Sequence, residues 1–135
     1  PLQGTIFISV NDQDKVHMVE PARIFSQLGM HLVATKGTAE FLAEHGITAE
    51  IVNKVYEGRP NAIDMIKNKT IDLVINTSSG KMTIRDSSSL RQATILYNLP
   101  YTTTLAGAKA MAQAMRELQG RGMGVRSLQE YHGYA

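Results

Sequence analysis

Two short segments place small hydroxyl side chains and glycine directly after compact apolar runs: Ala34-Thr35-Lys36-Gly37-Thr38-Ala39 and Ile75-Asn76-Thr77-Ser78-Ser79-Gly80. In the first, Thr35 and Thr38 flank Gly37, whose missing side chain lets a ligand approach the backbone, and a helix-like stretch follows at once. In the second, an amide, three hydroxyls and the cation of Lys81 supply more donors than a plain turn needs. The chemistry these residue types share is anion binding, because backbone N–H groups and the positive end of a helix converge on a phosphate where strands end. Each segment alone also has a bland reading, with Thr38 as a helix cap and Gly37 as a turn residue, or 76–81 as a polar loop. Two donor-rich strand ends on one sheet edge, taken together, describe a pocket for a phosphorylated small molecule.

Two cations stand where they would complete such a pocket: Lys15 follows the first apolar run and Lys54 the third. Either is also readable as a solvated surface lysine. Gly37, Ser78, Ser79 and Ser87 are further candidates for contact, although Ser87-Ser88-Ser89 equally suits the first turn of a helix. His17, His31, His45 and His132 have no metal-ligand spacing, so no metal site is expected. Asp72, inside an apolar run, is a candidate buried acid, but a catalytic base belongs at the strand end, where Asn76 stands. Without an acid–base pair, a nucleophile elbow or a Walker-type lysine, these residues suit a binding module better than an enzyme.

The elements that must position these groups alternate between β-rich runs and amphipathic helices, the pattern of a doubly wound parallel sheet. Strands are expected at Thr5 to Val10, Met30 to Ala34, Glu50 to Val52, Ile71 to Ile75 and Tyr101 to Thr103. Helices are expected between them: a first one carrying Val16, Val19, Ile24, Phe25 and Leu28 and ended by Gly29, then 38–45, 61–68, 84–97 and 105–118. Pro21 is awkward in the first helix, which either starts near Glu20 or kinks at the proline. A flexible exit is expected at 120–124, and 125–135 carries no assignment.

The chain of 135 residues, 43% hydrophobic and 19% charged, has the length of one domain and can bury a core. Its net charge of +2 is spread along the sequence, which argues against nucleic-acid binding. It contains no cysteine, so no disulfide framework or thiolate metal site is available, as suits a reducing cytoplasm. No apolar stretch approaches the roughly 18 residues of a membrane span, and no signal-peptide layout opens the chain. A start at Pro1 suggests a piece of a longer protein, and 1–135 is expected to be a single domain of it.

Over nearly its whole length the sequence resembles the methylglyoxal-synthase-like domain at the carboxyl end of the carbamoyl-phosphate synthetase large chain. The resemblance runs from Ile8-Ser9-Val10 and Asp14-Lys15 through Ala34-Thr35-Lys36-Gly37-Thr38-Ala39, Ile75-Asn76-Thr77 and the 86–91 helix start to Thr103-Thr104-Leu105. Its most specific stretch is Asn53-Lys54-Val55-Tyr56-Glu57-Gly58-Arg59-Pro60. The resemblance implies an α/β fold of three layers with a five-stranded parallel sheet of order 3-2-1-4-5. It implies an allosteric domain in which UMP or IMP seats its phosphate among Lys15, Thr35, Thr38, Lys54, Asn76 and Thr77, without a cofactor. The implied partners are ATP-dependent synthetase domains of the same chain and a glutamine amidotransferase small chain, in the cytoplasm, serving pyrimidine and arginine biosynthesis. Where methylglyoxal synthases carry a proton-abstracting aspartate segment, this chain has Thr77-Ser78-Ser79-Gly80, so a lyase acting on dihydroxyacetone phosphate is the alternative reading. The branch of the family that answers to N-acetylglutamate carries a tryptophan near the position of Lys54. This chain has none, which favours a nucleotide effector.

Overall fold

In the computed structural model the described residues are 4–53, 58–77 and 84–120, with 84–87 described by their backbone alone. Ten elements alternate along the chain: β1 (Thr5–Ser9), α1 (Lys15–Gln27), β2 (His31–Ala34), α2 (Lys36–Glu44), β3 (Glu50–Ile51), α3 (Ala62–Lys67), β4 (Leu73–Asn76), α4 (Ile84–Leu96), β5 (Tyr101–Thr102) and α5 (Leu105–Gly120). The strands form one parallel sheet of order β3-β2-β1-β4-β5, as expected. Its central strands are buried on both faces, which is why they read as nearly continuous apolar runs.

Alternation along each strand divides the core in two. Ile6, Ile8, Leu32, Ala34, Leu73 and Ile75 pack with Met18 and Phe25 of α1, Leu42 of α2 and Met111 and Met115 of α5. Phe7, Val33 and Val74 pack on the opposite face with Ile66 of α3 and Leu90 and Ala93 of α4. Phe7 and Phe25 are almost wholly withdrawn from water, each a contribution of about 1.5–3 kcal/mol to the folded state.

Four helices end in the same way. After α1, Gly29 has φ 91°, its N–H bonds to Ser26 O, and Met30 N–H reaches back to Phe25 O, the paired bonds of a Schellman cap. Gly46, Lys69 and Asn98 close α2, α3 and α4 with the same two bonds, at φ 77°, 59° and 54°.

Several expectations are corrected. Helix α1 begins at Lys15 and runs through the buried Pro21, so the later start near Glu20 is excluded. Val16 points to solvent at 65% exposure, and Met18, Pro21 and Ala22 take the core face with Ile24 and Phe25. Helix α2 begins at Lys36, so Thr35 is its N-cap and Thr38 lies inside its first turn. Gly120 belongs to α5, and the remainder of the expected flexible exit lies outside the described residues. Among the described residues no helix is long and apolar enough to cross a membrane.

Candidate functional site

The three central strands end in a polar row. Ser9 pairs with Asn76 in the β1–β4 register, and the β1–β2 register, running Thr5 to Ile8 against His31 to Ala34, continues to set Thr35 beside Ser9. Two residues earlier the same face carries Val33, Phe7 and Val74, all core. The sheet therefore changes from apolar to polar within one pleat repeat at its carboxyl edge, and Ser9, Thr35 and Asn76 are all buried there. Buried polar groups persist only when partnered, and these are. The Thr35 hydroxyl lies 3.5 Å from Ser9 Oγ and 3.4 Å from Thr38 Oγ1, and Asn76 Nδ2 donates to the Tyr101 hydroxyl at 3.3 Å.

Two consecutive amides of the chain leaving β1 set the polarity of two hydroxyls. Val10 N–H donates to Thr38 Oγ1 at 3.3 Å and Asn11 N–H to Thr77 Oγ1 at 3.4 Å. A hydroxyl whose oxygen already accepts from an amide keeps its proton for donation. Thr38 and Thr77, both buried, thus keep their protons available for donation on either side of β1, which is what an anion requires. Thr35 is the N-cap of α2 but makes no side-chain cap to it, its hydroxyl being turned to Ser9 and Thr38 instead.

The cation comes from α1. Lys15 Nζ is ion-paired with Asp12 at 2.7 Å, and its side chain is only 18% exposed. It lies 3.2 Å from the point that a β-carbon on Gly37 would occupy, which sets the ammonium against the first turn of α2. The absence of a side chain at Gly37 is what lets Lys15 come so near. Here the positive charge adds to the favourable field at the helix N-terminus.

Of the residues expected to form a site, Lys15, Thr35, Gly37, Thr38, Asn76 and Thr77 are all at this edge. Lys54, Ser78 and Ser79 lie outside the described residues, as does the side chain of Ser87. Val52 N–H bonds to Ala34 O at 2.9 Å, extending β3 toward the site edge, Asn53 bridges to Asn61, and Asn53 Nδ2 donates to Pro60 O at 3.1 Å. Asn53 is thus joined to Pro60 and Asn61. Asn61 caps α3 in a reciprocal capping box with Asp64, and Arg59 pairs with Asp64 at 2.7 Å. Hydrogen bonding from the Arg59 guanidinium first, and from the Asn61 backbone second, holds the Asp64 carboxyl below the usual carboxylate range.

Asp72 is removed from the candidates. It sits before β4 at the opposite edge of the sheet, where its carboxylate accepts from Thr5 N–H at 2.8 Å. Two residues at the site escaped the sequence reading, Ser9 and Asn11. Ser9 stands in a strand of apolar residues, and only the strand register shows that it ends level with Thr35 and Asn76. Among the described residues no group of histidine and acidic side chains is arranged to hold a metal ion.

A family model described as the MGS-like domain matches residues 17–103. The carbamoyl phosphate synthase large chain of Rhizobium meliloti (strain 1021) is 49% identical over 131 residues, which is 97% of this chain and 11% of that protein. The C-terminal section of the carbamoyl phosphate synthase large chain of Methanopyrus kandleri is 46% identical over 133 residues, 98% of this chain and 24% of that section. The chain therefore spans between about a tenth and a quarter of these relatives. The crystal structure of methylglyoxal synthase from Elizabethkingia anophelis NUHP1 superimposes with a TM-score of 0.68 at 21% identity, covering 83% of this chain and 78% of that one, a likeness of fold.

Proposed function

Because the chain belongs to the MGS-like domain family, we propose that it is the effector-binding part of a carbamoyl phosphate synthase large chain and that its ligand is a nucleoside monophosphate such as UMP or IMP. The observation that carries this reading is the pair of buried hydroxyls, Thr38 and Thr77, whose oxygens accept from the consecutive amides of Val10 and Asn11 just after β1, while Lys15 stands over the first turn of α2. Donors fixed in advance lose little freedom on binding, so a phosphate meets a formed site. Thr35 and Asn76 complete the described wall, and Lys54, which follows Asn53 in sequence, is assigned to the same phosphate. Ser78, Ser79 and Ser87 are assigned further contacts with the nucleotide.

The domain is taken to be non-catalytic and to need no cofactor. Carbon-bound proton abstraction needs a carboxylate or imidazole facing the substrate, and the strand ends offer hydroxyls and an amide. Asp12, the acid nearest Lys15, is engaged with that ammonium. Carbamoyl phosphate formation from bicarbonate, glutamine-derived ammonia and ATP belongs in this reading to synthetase domains of the same large chain, with a small glutamine amidotransferase chain as partner. The setting is cytoplasmic, in pyrimidine and arginine biosynthesis, without nucleic-acid or membrane partners. Effector binding would reach those domains only through a difference in affinity between two of their states, typically about 1–3 kcal/mol.

Calorimetric titration of the 135-residue chain with UMP, IMP and dihydroxyacetone phosphate tests this. Saturable binding of a nucleotide, without methylglyoxal release from the triose phosphate, is expected. Turnover of the triose phosphate that disappears on replacing a site residue would overturn the assignment in favour of a lyase.

A further inference from the structure

Asn11 is half-buried and makes more bonds than its place in a turn requires. Its Oδ1 accepts from Asp14 N–H at 2.9 Å while its backbone carbonyl accepts from the same N–H at 3.1 Å, a β-turn leading into α1 that the side chain reinforces. For that task aspartate or serine would serve equally, since only an acceptor is used. The amide nitrogen does something else. Asn11 Nδ2 donates to the Thr77 carbonyl at 3.0 Å, across 66 residues of sequence, while the Asn11 backbone N–H donates to the Thr77 hydroxyl.

Thr77 is thereby held at three atoms by the end of β1: its N–H bonds to Ser9 O at 2.9 Å, and its hydroxyl and carbonyl bond to Asn11. On its other side Asn11 fixes the turn from which α1 starts, and Lys15 is the first residue of that helix. One side chain thus ties the strand end that carries a donor hydroxyl to the helix that carries the cation. Only an uncharged side chain with both an acceptor and a donor at this length makes both links. Aspartate lacks the donor, and serine lacks the reach.

Resting on the anion-site reading above, we propose that Asn11 is a positioning residue for ligand binding. It touches no ligand itself and acts by keeping Thr77 and Lys15 in one fixed relation. Both groups must reach the same anion, so loosening either link spreads their positions and weakens binding without removing a contact. The effect must then be coupled to the Thr77 hydroxyl, because a residue that holds Thr77 in place loses most of its influence once that hydroxyl is gone.

The test uses the 135-residue chain and two probes, UMP and inorganic sulfate, whose charge does not change between pH 4 and 8. Asn11→Ser keeps the turn acceptor, adds no charge and removes the link to Thr77. It is expected to weaken both probes about three- to tenfold, the range for one lost hydrogen bond, while Thr77→Val weakens them further. In the double variant the Asn11→Ser loss should shrink to less than about twofold. Asn11→Thr, which also keeps a turn acceptor, adds no charge and lacks the amide donor, should show the same loss and serves if the serine variant folds poorly. Wild-type affinity in Asn11→Ser, or a loss that adds in full to that of Thr77→Val, would overturn the proposal. A wild-type chain that binds neither sulfate nor UMP would instead overturn the anion site on which it rests.

Discussion

The Lys15 ammonium stands 3.2 Å from where a β-carbon of Gly37 would be, so a cation from the start of α1 rests on the first turn of α2. Two elements joined only through β2 share one corner of the site, and the missing side chain of a single residue makes room for it.

Gly37→Ala should therefore separate stability from binding. Gly37 is inside α2 at an ordinary helical position, where alanine is favoured over glycine by up to about 1 kcal/mol. The added methyl must be accommodated by a shift of the flexible Lys15 tip. Thermal unfolding is expected to stay unchanged or rise, while the affinity for UMP or sulfate falls. Equal affinity in the two proteins would show that Lys15 is not needed where it stands.

Thr38 carries a different burden, because its hydroxyl is the partner of a buried amide. Thr38→Val preserves shape and leaves Val10 N–H without its acceptor at 3.3 Å. The expected loss is about 1–3 kcal/mol of stability together with weaker anion binding. Thr38→Ser, which restores the hydroxyl, should recover most of the binding. Urea unfolding of both variants beside a sulfate titration checks the two effects independently.

Much of this site was legible in the sequence, and the part that was not has a clear cause. Thr35, Gly37, Thr38, Asn76 and Thr77 announced themselves as hydroxyls, glycine and amide after apolar runs, because strand ends and helix starts are local events. Ser9 did not, since one small polar residue at the end of Ile6-Phe7-Ile8 has no periodic signature. Its meaning depends on register with β2 and β4, more than 20 and 60 residues away. Asn11 stands in a polar turn before α1, where its side chain accepts from Asp14 N–H, but its donor is used by Thr77 on the neighbouring strand end. Pro21 misled for the opposite reason. A local rule against proline inside helices competes with a long buried face from Met18 to Leu28, and tertiary packing prevails.

The helix caps offer a prediction free of the site. Gly29 and Gly46 adopt the left-handed conformation at no steric cost, whereas Lys69 and Asn98 adopt it as residues with side chains. A β-carbon there costs roughly 1–2 kcal/mol, less for asparagine, which tolerates the region better. Lys69→Gly is expected to raise the urea midpoint, by more than Asn98→Gly does. Gly29→Ala should lower it. A destabilised Lys69→Gly would mean that the lysine side chain contributes more than its backbone strain removes.

Acid should loosen α3 through Asp64. Its carboxyl accepts from Arg59 Nε at 2.9 Å and from Asn61 N–H at 2.9 Å, and both bonds are stronger to the ionised form. The folded-state pKa is lowered, with the Arg59 bond as the largest cause. A lowered carboxylate pKa gives stability that is complete above the unfolded value, about 3.9, and is lost as the pH falls through the lower folded value. The wild type should therefore lose an increment of stability below about pH 4 that Asp64→Asn lacks, because the amide accepts less well at every pH. Above pH 5 the wild type should be the more stable of the two, and the curves should converge on acidification. Unfolding midpoints in urea from pH 6 down to pH 2.5 give the comparison. A constant gap between the two curves across that range would show that Asp64 holds Asn61 and Arg59 without its charge.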